Sequence, residues 1–117
     1  MSLTRRLPQD KLESYFDGFS KHFLKYESTE VVDVELLDRD LGDQHLVEGA
    51  HLIGITYEPR TNALDIALEG GDHRMYKPKE VWALEEDDGF VRALEIVNDD
   101  DSREVVRVRR LSVRRAD

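Results

Sequence analysis

Hydrophobic positions change their spacing once along this chain, near Ser28. Before that point Leu12, Tyr15, Phe16, Phe19 and Phe23 fall at i, i+3, i+4, i+7 and i+11, one face of an α-helix. The spacing predicts a helix over 8–25. Pro8 suits a first turn, and Asp10 with Glu13 three residues on has the form of a capping box. Asp10, Glu13 and Asp17 come early and Lys21, His22 and Lys25 late, as the helix dipole prefers. Gly18 is the dissenting residue. Inside a helix it costs about 1 kcal/mol relative to alanine, which points to close approach by a neighbouring backbone or to a kink.

Beyond Ser28 the period is two. Val32, Val34 and Leu36 alternate with Asp33 and Glu35, a strand with one wet face and so a sign of an antiparallel sheet. The run 38–43 is a turn, Gln44 to Val47 a short strand, and Glu48-Gly49-Ala50 a bulge or break. The stretch from Leu52 to Glu69 then reads as a central hairpin. Ile53, Ile55 and Tyr57 line one strand, Leu64, Ile66 and Leu68 the other, and Glu58-Pro59-Arg60-Thr61-Asn62 supplies the turn. Leu52, on the opposite parity, is a candidate for exposed apolar surface. Gly70-Gly71-Asp72 is a tight turn into a strand at 73–77 that Pro78 ends. Residues 81–85, with Trp82, lead through Asp87-Asp88-Gly89 into a strand at 90–97. A polar turn at 98–102 precedes the last strand, 104–111, with Val106 and Val108 inward and Arg107 and Arg109 outward.

Such short links favour an antiparallel meander, because parallel pairing needs crossovers of a dozen or more residues. The fold class read from the pattern is α+β: one N-terminal amphipathic helix packed on a five- to seven-stranded antiparallel meander sheet. Curling into a partly open barrel is one way such a sheet protects its edges. The chain, 117 residues long, fits one domain: an arm over 1–7, the helix over 8–25, the sheet over 28–111 and a basic tail over 112–117. The first three residues receive no structural weight.

The absence of cysteine excludes disulfides and thiolate zinc sites and suggests a reducing, cytoplasmic setting. No run approaches the roughly 20 apolar residues that cross a bilayer, and no signal peptide is visible, so no membrane is expected. Net charge is −9 and uneven. Residues 1–102 carry −13, whereas six arginines against Glu104 and Asp117 give 103–117 a charge of +4. The acidity serves solubility.

Candidate chemistry is thin. His22, His45, His51 and His73 match no compact ligand spacing; His45 and His51 bracket a short loop near Asp43 and Glu48, the one conceivable surface site among them. The acidic turns at 85–88 and 99–101 invite a hard cation, but from Asp99 the fifth and twelfth positions of a calcium loop are Arg103 and Arg110. None of the six serines stands in a nucleophile elbow, and Asp72 after Gly70-Gly71 repels the anion a phosphate loop cradles. Arg103, Arg107, Arg109, Arg110, Arg114 and Arg115 form the basic end. It lacks interleaved aromatics for base stacking, and pairing of Arg107 and Arg109 with acids of a neighbouring strand, such as Glu95, accounts for them.

The residues Leu52-x-Gly54-Ile55-x-Tyr57-Glu58-Pro59, then Leu64-Asp65-Ile66, His73, Pro78, Val81-Trp82, Gly89 and Leu94-Glu95-Ile96, with Leu7-Pro8-x-Asp10 ahead of them, resemble a bacterial family of about 115 residues. That family is known only as a domain of unknown function. Its motifs are turn and strand residues, so the resemblance implies a fold and no activity. The expectation is a non-catalytic bacterial binding or scaffolding domain, self-associating as a homodimer. Its candidate interaction surface is Leu52, Tyr57, Trp82, Arg107 and Arg109, with no catalytic residue, metal or cofactor assigned. Nucleic-acid binding through the arginine-rich strand and tail is the alternative.

Overall fold

A computed structural model describes residues 3–24 and 30–110. Strand β1 (Leu3–Arg6) is followed by a 3-10 turn (Gln9–Lys11) and helix α1 (Leu12–Phe23). Then come β2 (Glu30–Asp38), β3 (Gly42–Glu58), β4 (Ala63–Leu68), β5 (Gly71–Tyr76), β6 (Glu80–Glu85), β7 (Val91–Val97) and β8 (Arg103–Arg110). The expected α+β class holds, with eight strands among the described residues in the order β1-β6-β7-β8-β2-β3-β4-β5. Every neighbouring pair is antiparallel. The sheet is open rather than closed into a barrel. Two successive meanders, β2 to β5 and β6 to β8, meet where β2 pairs with β8. The strand beyond the expected number is the N-terminal arm: Leu3, set aside in the sequence, pairs with Glu85, and Arg6 with Trp82.

Strand β3 gives the molecule its shape. Its first part pairs with β2 as far as His51, and from Leu52 onward it pairs with β4. One continuous strand of 17 residues thus stands where a short strand, a bulge or break and a hairpin arm were expected, and of the two the bulge is what the pairing with β2 shows. Gly49 marks the irregularity: its φ of +64° is the left-handed region that glycine enters without strain, and its N–H is bonded by the Asp33 carboxylate at 2.8 Å. His73 of β5 reaches Glu104 of β8, with three strands between them in the sheet order, so the far end of the sheet folds back over its middle. Between the layers lies one core, with Val32, Val34, Ile55, Leu64, Ile66, Leu94, Ile96 and Val106 fully buried or nearly so.

Helix α1 closes the open side. Leu12, Phe16 and Phe19 are buried, and Tyr15 and Phe23 are half-buried against the core, as the spacing predicted. Where β2 stops, the continuing part of β3 has a bare edge, and a bare edge needs partners for its backbone. Ser20 supplies them: its hydroxyl donates to the Ile55 carbonyl and accepts from the Ile55 N–H, both at 3.0 Å. Ser20→Ala is expected to lower unfolding free energy by about 1–3 kcal/mol, the cost of leaving part-buried backbone groups unmade. Urea unfolding measures it; a loss below a few tenths of a kcal/mol means water replaces the hydroxyl.

Three local expectations are corrected. Leu52 is fully buried and Ile53 is 57% exposed, because a register shift between Leu52 and Gly54 reverses the parity of the strand. Gly18 is not a close-packing position: it is exposed, and a Cβ there meets nothing within 4 Å. Asp10 is not a cap. The 3-10 turn that starts after Pro8 moves the α-helical start to Leu12, with Lys11 before it and no side-chain cap bond.

Candidate functional site

The five residues expected to form a surface divide between core and face. Leu52 is withdrawn into the core, and Tyr57 is only 5% exposed. The Tyr57 hydroxyl donates to Asn62 at 2.6 Å and accepts from Gln9 at 3.3 Å, which pins the β3–β4 turn to the 3-10 turn. Neither presents an apolar surface.

Trp82, Arg107 and Arg109 do come together. Residues opposite one another in antiparallel strands share a face. Arg6, Trp82, Glu95, Val105, Glu35 and His45 stand in one such row across β1, β6, β7, β8, β2 and β3. Arg107 and Arg109 continue the parity of Val105 along β8. This is the outer face, the side of the sheet away from α1. At its centre Trp82, Leu84, Val105 and Ala93 are half-buried by their neighbours. The Trp82 indole N–H donates to Glu80 at 2.9 Å.

Arginine and acid alternate across the same face. Arg107 meets Glu35 at 3.0 Å, Arg109 meets Asp33 through two N–H donors at 3.0 and 3.2 Å, and Arg103 meets Glu95. The neighbouring strand that partners Arg107 and Arg109 is therefore β2; Glu95, named from the sequence, holds Arg103 instead. Arg109 beside Asp33, with the Gly49 N–H, holds that carboxyl below the usual carboxylate range despite partial burial. Arg110 spreads over the Phe90 ring at 3.7 Å and reaches Asp88 at 3.6 Å. The described arginines of the last strand are thus occupied by this chain's own acids and rings. Arg114 and Arg115 lie outside the described residues.

The other candidates stay apart or serve structure. His45 approaches Glu48 at 3.9 Å on an exposed stretch, and no group of three His, Cys, Asp or Glu among the described residues is placed to hold a metal ion. The acidic turns at 38–40 and 100–101 line one groove with Arg39 and Ser102. Their carboxylates are engaged locally: Asp38 accepts from the Asp40 and Leu41 N–H groups, Asp100 from Ser102, and Asp101 from Lys79.

Two polar contacts escaped the sequence. Tyr15 donates to Glu85, which also holds Arg5; burial first, and then this carboxylate, push the phenol well above its ordinary value. Glu104, 8% exposed, receives His73 at 2.7 Å on one oxygen and Asn98 at 3.1 Å on the other. Partners 31 residues apart, one on the edge strand β5 and the other on the interior strand β8, leave no trace in spacing. The network joins two layers and faces none of the grooves described here.

Fold and surface together define a small α+β protein with an open, charge-alternating sheet face built around one tryptophan. The chain belongs to a family of unknown function, DUF5335, whose sequence profile matches residues 3–115. An uncharacterized protein of Aquifex aeolicus (strain VF5) is 35% identical over 107 residues, 91% of this chain and 92% of that one. No solved structure matches the chain. Among the described residues no helix is long and apolar enough to cross a membrane.

Proposed function

We propose that this protein is a non-catalytic binding module that pairs with a second copy of itself through the outer face of β6, β7, β8 and β2. The observation that carries this reading is charge placement. In a chain of net charge −9, three arginines on this face stand against four acids, the three they pair with and Glu80, so a second copy meets little net repulsion there. A patch bearing both signs in alternation is also self-complementary, which a two-fold symmetric contact requires. Trp82, with Leu84 and Val105 beside it, supplies the apolar centre that such interfaces use.

Sedimentation equilibrium tests the proposal. The wild-type chain is expected to dimerise, and Trp82→Lys and, separately, Val105→Lys to weaken dimerisation at least tenfold while circular dichroism stays native. A monomer at all concentrations, or a dimer indifferent to both substitutions, overturns it.

A further inference from the structure

We propose that the cleft between residues 6–12 and 78–81 is a binding site for a small carboxylate with an apolar body. The cleft lies within one chain, so this inference does not rest on self-association. Its volume, about 340 Å³, falls within the span of small-ligand sites, roughly 300–1,000 Å³. Leu7, Pro8, Leu12, Pro78 and Val81 provide apolar wall.

The walls are fixed before any ligand arrives. Leu7 N–H bonds the Val81 carbonyl at 2.8 Å and Lys79 N–H bonds the Val97 carbonyl at 2.7 Å. Pro8 and Pro78 restrict the backbone of the two linkers further. A site formed in advance spends little affinity on ordering itself.

Charge selects the ligand. Arg5, Arg74, Arg92, Arg103, Arg107, Arg109 and Arg110 are each paired with an acid. Arg6, which lines the cleft, has no ion pair among the described residues. The acid that shares the cleft, Glu80, accepts the Trp82 indole N–H at 2.9 Å, and Lys79 is held by Asp101 at 2.6 Å. Of the two cations that line the cleft, Arg6 is therefore the one without an acid partner among the described residues, and a guanidinium fits a carboxylate with two parallel N–H donors. A ligand that places its carboxylate on Arg6 lays its body against the prolines and Leu7.

Amide NMR titration of the full chain with phenylacetate, and with uncharged phenylacetamide as its counterpart, tests the proposal. Expected are saturable shifts of the Leu7, Gln9, Lys79 and Val81 amides with phenylacetate. Affinity is expected to fall at least about tenfold for phenylacetamide and for Arg6→Gln, the loss of one charge-assisted contact. Arg6 is exposed and joins β6 through its backbone, so Arg6→Gln keeps the fold, and its unchanged spectrum away from the cleft verifies that. No saturable shift, equal binding of the amide, or undiminished binding by Arg6→Gln overturns the proposal.

Discussion

Phe16→Ala is expected to lower the unfolding free energy by about 3–5 kcal/mol, as truncation of a fully buried aromatic does. Phe16 has no exposed surface, and α1 is fastened to the sheet along Leu12, Phe16 and Phe19. The ring also meets Tyr15 edge-on at 5.1 Å between centroids. Alanine leaves a cavity in the core that α1 covers, and the cost grows with the volume the neighbours fail to fill. Phe23→Ala, at a half-buried site where Arg110 and Phe90 share the contact, is expected to cost clearly less. Denaturant unfolding distinguishes the two. Equal losses mean that the helix is held by its end rather than by its middle.

Replacing His73 by leucine is expected to cost about 2–3 kcal/mol. The reason is what it leaves behind: a carboxylate 8% exposed, with Asn98 as its remaining partner. Leaving a buried hydrogen-bonding group without its partner costs about 1–3 kcal/mol, and the near-complete burial of Glu104 puts the expectation in the upper part of that range. Glu104→Leu in the same chain removes the stranded charge. The double variant is therefore expected to be more stable than the sum of the single losses, with a coupling of about 0.5–3 kcal/mol. Additive losses show that the contact holds the layers together only weakly. By comparison, Arg103 with Glu95, both about half exposed, belongs to the surface pairs worth about 0–1 kcal/mol.

Regular periods made much of the fold legible. Helix α1 and strands β2, β4, β7 and β8 stand close to where the spacing put them, because each buries one face and its pattern reports that face directly. Strand β1 was not legible: Leu-Thr-Arg-Arg has no alternation to detect, and it is a strand because β6 offers it an edge. The face proposed for self-association was half legible for a similar reason. Trp82, Arg107 and Arg109 alternate outward on regular strands and share a face, whereas Leu52 was misread because one irregularity in β3 reverses parity. Neither the cleft at Arg6 nor the His73–Glu104 contact had a signal, since each joins segments about seventy and thirty residues apart.

By itself, then, the sequence determined the class: one amphipathic helix, a succession of half-wet strands, and short turns that permit antiparallel neighbours only. These are local consequences of side-chain period and of glycine and proline stereochemistry. Tertiary structure alone decided that β2 joins β8, that β3 serves both layers, and that Ser20 completes the edge β2 leaves bare. Those choices depend on which distant surfaces bury most apolar area together, and no window along the chain contains both partners.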